Sequence, residues 1–524
     1  MDKYPSWVLE LKPPGTEVKY INGRYYLYTA SSSVRGEDGK PHKISGEYLG
    51  VLVKDVGLIK KGERDSKLQG KVRPKYSYGI AGTLTPLMGD ELSRLRTLFP
   101  EEWQTIIAFA LCRLSSGCPI YEMNKLWNQN FLSHFLTCVS FSEEDIKKVL
   151  MRIGSARSAI EGYMNGIPHE KDTIIFRGPE GFPEWDGTVL PQLQGNASDS
   201  SEAIHGLIMA HSVSGNSPIR CLPVHGYESP VDSFLSLLKT ADLPGSIIVD
   251  EVASFGEEGM KELDLMNRNY ILRLDRNSKL IDYSLTAGDP PYKGESFFQY
   301  RGKPIFGVRQ YFDRDHDIYL FVDLFLREEE SRRMRAQIMT KSSKLSKESN
   351  RSRLWDDYRA SCSQFGTISF IVPSKMEERL QDNTPKTLST ALKSRFQRTV
   401  TPEFVYLRYM EMETIREKLS QMKTLLHEDS RFIVDYDSLQ GWLFCNFVAQ
   451  QWYCRLQNKI STSPSFVDQT CKETISSLCG VQATIASRKW SMFSYCKGWE
   501  NLTKVIGISQ IPEFVFPTNR ANQP

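Results

Sequence analysis

None of the ten cysteines forms a CxxC pair, and the eight histidines show no HExxH or comparable ligand spacing. That excludes the usual structural zinc patterns and leaves the cysteines reading as free thiols of a reducing cytoplasm. No run reaches the length of about 18 apolar residues that a membrane-crossing helix needs. The first stretch, MDKYPSWVLELKPPG, lacks the apolar segment of a secretory signal. The sequence therefore predicts a cytoplasmic chain that is neither secreted nor membrane-spanning. Charge of one sign is missing too: 66 Lys plus Arg face 63 Asp plus Glu, for a net charge of +3. Such a balance permits nucleic-acid binding without arguing for it, so the distribution of charge has to decide. No internal repeat is evident. What remains is a chain of 524 residues, 40% hydrophobic and 25% charged, a globular composition. Its length suits roughly three or four domains, or one elaborated domain.

Periodicity divides the chain into six stretches. Residues 1–75 are β-rich, and VKYINGRYYLYTA places Asn22-Gly23 between two strand-like runs, a hairpin signal because that dipeptide tolerates positive φ. Residues 76–167 are helical: Trp103, Ile106, Ile107 and Ala110 keep helical spacing, and Ser142 stands as an N-cap before acidic residues. From 168 to 275 the short runs TIIF, IHGLIMA, PIRCLPVHG and SIIVD read as strands, with SGNS as a hairpin turn and SPVDSFLSLLKTA as a helix. That order predicts an α/β fold with a mixed sheet flanked by helices. Residues 276–402 are a long segment that adds extended stretches, among them IYLFVDLF. Residues 403–460 hold two helices, the second apolar on most sides through Trp442, Phe444, Phe447 and Trp452 and hence buried. Residues 461–524 read as a tail region.

Two stretches carry candidate chemistry. Asp250 ends the apolar strand SIIVD, which places it at the carboxyl edge of the sheet, where α/β folds build their sites; a strand-end Asp capping the next loop is the plainer reading. The strand TIIF, a candidate neighbour, ends instead in Arg177. The segment 276–402 contains RRMRAQIMTKSSKLSKESNRSR, with Arg332, Arg333, Arg335, Lys341 and Lys344 against a single Glu. This run reads either as a solvated helix end and loop or as a contact to a DNA backbone.

The helix YMEMETIREKLSQMK resembles the signature of insertion-sequence DDE transposases with a Tyr-x2-Arg-x3-Glu-x6-Lys pattern, which falls here on Tyr409, Met412, Arg416 and Lys423. SIIVDEVASFGEEGMKEL is similar to that family's second-aspartate strand and following helix. DIYLFVDLFLREEESRR resembles part of its strand-rich insertion, and the N-terminal INGRYYLYTASSS resembles a segment found in one subgroup. The resemblance implies an RNase H-like core with a β-rich insertion. It also implies three carboxylates holding two Mg²⁺ ions, which activate a nucleophile and stabilise the leaving oxygen in DNA cleavage and strand transfer.

Carried over residue by residue, only Asp250 of the acidic triad and metal ligands remains. Arg177 stands at the first-aspartate position and Arg416 at the glutamate position. Met412 replaces the family's arginine, while Tyr409 and Lys423 keep its phosphate neighbours. A guanidinium stays protonated and cannot ligate a cation. Displaced carboxylates offer one rescue: Glu413 shares the helix face of Arg416, whereas Glu417 points about 100° away, and Asp186 of EWDGT supplies a first carboxylate if the strand register is shifted. Three readings follow: a transposase relative that binds DNA without cutting it efficiently, an active cut-and-paste transposase that uses Mg²⁺ through displaced carboxylates, and an interaction protein that has left nucleic acid. The resemblance implies as partners double-stranded DNA with terminal inverted repeats and a second copy of the chain, in a nucleoid-associated setting.

Overall fold

The computed structural model describes residues 4–21, 24–35, 40–44, 46–54, 57–60, 74–167, 173–178, 204–225, 230–240, 243, 245–288, 296–343, 348–377, 380, 400–466, 470–486, 489–496 and 498–508. The chain forms two compact units, Met1–Lys75 with Thr484–Lys489, and Tyr76–Ala483 with Trp490–Pro524. In the first, Thr16–Ile21 and Arg24–Thr29 pair antiparallel with Ile21 opposite Arg24. That leaves a two-residue connection at the Asn-Gly pair, which itself lies outside the described residues. Tyr48–Val53 and Gly57–Lys60 complete a four-stranded sheet, whose apolar side packs Val18, Leu27 and Leu52 with Val8 of the short helix Ser6–Glu10.

The second unit opens with five helices: α1 (Leu84–Leu98), α2 (Trp103–Ser116), α3 (Ile120–Asn128), α4 (Glu143–Ser155) and α5 (Arg157–Asn165). Ser142 caps α4 by accepting from the Asp145 N–H at 3.2 Å, ahead of three acidic residues that suit the positive end of the helix dipole.

Nine strands then build one sheet: β1 (Thr173–Arg177), β2 (Ile204–Ser212), β3 (Ser217–His225), β4 (Ile247–Glu251), β5 (Asn269–Arg273), β6 (Ser296–Tyr300), β7 (Lys303–Tyr311), β8 (His316–Asp323) and β9 (Thr367–Pro373). Their spatial order is β3-β2-β1-β4-β5-β9-β8-β7-β6. β4 runs parallel to β1 and β5, while β2 is antiparallel to both β1 and β3. β5 meets β9 antiparallel, with Leu272 opposite Ile371. The strands between residues 296 and 373 thus prolong the same sheet. This is a mixed α/β architecture with helices on both faces.

Strand periodicity sorts the apolar residues onto those faces. Ile175, Ile208, Ile248, Tyr270 and Leu272 pack with Phe234, Phe255 and Leu263 of α6 (Pro230–Thr240) and α7 (Val252–Leu265). Ile174, Phe176, Ile247, Val249 and Ile271 pack with Val405, Tyr406, Tyr409 and Met412, which belong to the long helix between residues 402 and 429.

The extended reading of IYLFVDLF stops short in the structure. β8 ends at Asp323, whose carboxylate accepts from the Leu326 N–H at 3.0 Å and so caps α8 (Leu324–Ser342). Leu324 and Phe325 are helical, because an Asp before LREEE is a better helix start than a strand continuation. α8 is followed by α9 (Glu348–Ser361).

The quoted helix is part of α10 (Pro402–Asp429), which begins with Thr401 as N-cap and Pro402 in its first turn. α11 (Tyr436–Ser461) starts with an Asp435–Ser438 capping box. α11 shares its core with the N-terminal helices, Trp442, Phe444 and Trp452 lying among Ile106, Phe109, Leu150 and Tyr163. Gly154 and Gly441 let α4 and α11 touch backbone to backbone; a Cβ at Gly441 would stand 2.0 Å from the Leu150 carbonyl oxygen. The region read as a tail contributes to this core as well, through Ile475, Leu478, Trp499 and Leu502; the segment PEFVFPTNRANQP lies outside the described residues. Among the described residues no helix is long and apolar enough to cross a membrane.

α10 is pinned at its far end. Asp429 is fully buried and accepts from Trp442 Nε1 at 2.8 Å, from the Ile120 N–H at 2.7 Å and from the Arg113 guanidinium. Arg113 also donates from Nε to Asn446 Oδ1 at 3.1 Å. A buried ion pair holds when hydrogen bonds satisfy its remaining donors and acceptors, and here they do.

His316, at the start of β8, ties α7 to the sheet. Nε2 lies 3.0 Å from Asp264 Oδ2 and Nδ1 lies 3.0 Å from Asp313 Oδ1. The bond to Asp264, helped by Asp313 and opposed by burial, raises the imidazole to about 9 from its ordinary 6.5. A raised folded-state value stabilises the protein fully below the unfolded value and loses that contribution as pH climbs through the folded one. The stability difference between the wild type and His316→Gln, measured by urea denaturation, is therefore largest near pH 6, shrinks as pH rises from about 6.5 to 9, and levels off above that. A difference that stays flat with pH contradicts this.

Candidate functional site

β1 and β4 are parallel neighbours, with Ile247 opposite Ile174 and Ile248 opposite Ile175. Two residues further along, the same offset brings together Arg177 and Asp250. The Arg177 fork engages Asp250 through both arms: Nε donates to Oδ2 at 2.7 Å and Nη2 to Oδ1 at 3.0 Å. Oδ1 also accepts from the Glu251 N–H at 2.8 Å, with Ser254 Oγ at 3.5 Å. Asp250 has no exposed surface. A carboxylate removed from water needs a partner of opposite charge and filled lone pairs, and a bidentate guanidinium supplies both in one plane.

α10 delivers the third position. Tyr409, Met412 and Arg416 recur at three- and four-residue spacing and so share one stripe of the helix. The first two are buried against the sheet, and Arg416, 8% exposed, reaches the strand ends. Its Nε donates to the Arg177 carbonyl oxygen at 3.1 Å and its Nη1 to Glu413 Oε1 at 3.3 Å, while Nη2 stands 3.6 Å from Asp250 Oδ1. The three positions singled out in the sequence thus meet, with charges plus, minus and plus.

The neighbouring strand adds more. Glu251 faces Arg273 across β4 and β5, at 3.7 Å between Oε1 and Nη1, and Arg273 Nη1 donates to Tyr409 Oη at 3.3 Å. Burial pushes the Tyr409 phenol up to about 12, so it stays neutral. Tyr409, read through the resemblance as a phosphate neighbour, is 1% exposed and bonded to Arg273. Arg273 and Glu251 were not singled out by the sequence reading. The available signal was that YILR, like TIIFR, is an apolar run closed by arginine.

The other sequence candidates scatter. Asp186 and Lys344 lie outside the described residues, and Lys423 falls within α10 with its side chain outside them. Arg332, Arg333, Arg335 and Lys341 are exposed on α8, and no described contact links them to Asp250. Glu413 turns to Arg416.

The donor set does not fit a divalent cation. Mg²⁺ asks for several hard oxygens at about 2.0–2.1 Å, yet both Asp250 oxygens already bind a guanidinium and a second guanidinium is buried beside them. Among the described residues no three His, Cys, Asp or Glu side chains converge as metal ligands.

No protein-family model and no curated protein matches the chain. Among solved structures, a cryo-EM structure of the piggyBac transposase synaptic complex with hairpin DNA is similar over 77% of this chain and 75% of that one, at 10% identity and a TM-score of 0.27. A likeness that loose assigns no residue a role.

Asp250 distinguishes two kinds of site. In a cluster of carboxylates, removing one relieves repulsion and leaves stability unchanged or higher. Here, removing Asp250 strands the buried Arg416 guanidinium and leaves the half-buried Arg177 fork without its acceptor. Asp250→Ala is expected to lower the unfolding free energy by about 3–5 kcal/mol, read by chemical denaturation; an unchanged or raised midpoint contradicts the assignment.

Proposed function

We propose that this chain is a relative of the DDE transposases that binds DNA and no longer cleaves it. The observation that carries the reading is the Arg177 fork on Asp250, with Arg416 closing the third side. Two further observations support it. The strand order β3-β2-β1-β4-β5, with only β2 antiparallel among the five, is the order expected of an RNase H-like core. The sequence resemblance also places the acidic positions of that family on the three residues that meet at the strand ends. When bound, Mg²⁺ in such a site would supply Lewis-acid activation of a nucleophile and of the leaving oxygen; the arginines leave Asp250 no free oxygen for it. The alternative through displaced carboxylates gains no support from Glu413, which is engaged by Arg416.

Binding to the DNA backbone would fall to cations, among which Arg332, Arg333, Arg335 and Lys341 are exposed candidates on α8, with Lys344 and Lys423 as candidates from the sequence alone. The substrate would be duplex DNA carrying terminal inverted repeats, bound by one chain or by a homodimer. The test uses the full chain with a labelled duplex from the sequence flanking its own coding region. Binding is expected to weaken as salt rises, with no strand cleavage in Mg²⁺, and replacing Arg332, Arg333 and Arg335 by alanine should reduce the slope of log K against log salt by roughly three. Mg²⁺-dependent cleavage that Asp250→Ala abolishes would overturn the proposal in favour of an active enzyme. Absence of binding even at low salt would overturn it in favour of an interaction protein.

A further inference from the structure

The Asp250 cluster contains an imbalance. Arg416 is almost wholly buried, and its Nε and Nη1 both have acceptors, yet its Nη2 is buried and makes no hydrogen bond. Buried N–H groups without an acceptor are rare, because each forfeits its hydration. The nearest carboxylate oxygen paired with it is Asp250 Oδ1, at 3.6 Å. That oxygen is already taken by Arg177 Nη2 at 3.0 Å and the Glu251 N–H at 2.8 Å. The unused donor therefore stands a few tenths of an ångström beyond bonding distance from an acceptor that another guanidinium fills.

We infer that Asp250 has two counter-ions that back each other up: Arg177 holds it, and Arg416 stands by with one unused donor to take it over. Removing the Arg177 side chain opens lone pairs on both Asp250 oxygens, and a small shift of Arg416 closes the bond to Oδ1. Removing Arg416 leaves the bidentate fork intact. Only the loss of both leaves a fully buried carboxylate with no cation beside it, the costly case for a charge out of water. The two arginines should then be strongly coupled, as residues sharing one partner are. The inference concerns stability alone and stands apart from the DNA-binding reading.

A double-mutant cycle on the full chain tests it, with Arg177→Gln, Arg416→Gln, the double variant, and the double variant carrying Asp250→Asn. Denaturant midpoints are the readout. Each single variant is expected to fold with a modest drop in midpoint, and the double to drop by clearly more than the two combined. A double that fails to fold while both singles fold is the same result. Adding Asp250→Asn should recover a large part of the loss, since no anion then needs neutralising. Additive shifts, a failure of Arg177→Gln alone to fold, or no recovery with Asp250→Asn would overturn the inference. A crystal structure of Arg177→Gln supplies an independent reading: Arg416 Nη2 within hydrogen-bond distance of Asp250 is expected, and Arg416 unmoved or turned to solvent contradicts it.

Discussion

A carboxylate with no exposed surface must be neutralised where it stands, and the arrangement of this protein around Asp250 follows from that constraint. The residue ends a strand flanked on both sides by parallel neighbours, so its surroundings are made by the adjacent strand ends and by whatever helix crosses them. Arg177 comes from one side in register, Arg416 comes from α10, and Arg273 sits one strand further with Glu251. Charges of both signs alternate through the group, so the edge is electrically closed. A site that recruits a divalent cation needs the opposite arrangement, an excess of anionic oxygen held open.

α10 is the element that makes the arrangement rigid. Near its middle it packs Tyr409 and Met412 on the sheet and sends Arg416 to the strand ends. At its far end Asp429 is locked by Arg113, Trp442 and the Ile120 N–H into the helical core. The two buried ion pairs differ in design. Asp429 is surrounded by neutral donors plus one guanidinium, with each partner's remaining groups bonded. Asp250 has two guanidiniums, one of which keeps a donor unused. The first is a joint in which every group is bonded, while the second keeps one cationic donor to spare.

Much of this was legible in the residues, for definable reasons. The runs TIIF, IHGLIMA, PIRCLPVHG and SIIVD gave the first four strands because short β-rich apolar runs bounded by turn residues leave little choice. The spacing from Tyr409 to Arg416 placed three residues on one stripe, since helix geometry alone fixes that. What the spacing could not supply was the partner of each charge. That depends on the 73-residue offset between β1 and β4, a register set by packing on both faces and invisible in local pattern. The same holds for Arg273, which meets Tyr409 across 136 residues. The end of β8 was misjudged for a local reason: Asp323 caps a helix, and its carboxylate outweighs the apolar character of Leu324 and Phe325. The share of α11 in the helical core depends on two glycines that allow backbone contact, and composition alone does not reveal which helix they face.

The central claim is that arginine side chains occupy both Asp250 oxygens and leave no seat there for a divalent cation. Crystals of the full chain grown in manganese, with anomalous data collected to locate the ion, test it most directly. The account predicts no anomalous peak beside Asp250 and the Arg177 guanidinium still spanning both carboxylate oxygens. A peak within ligand distance of Asp250, with Arg177 swung away, would contradict it.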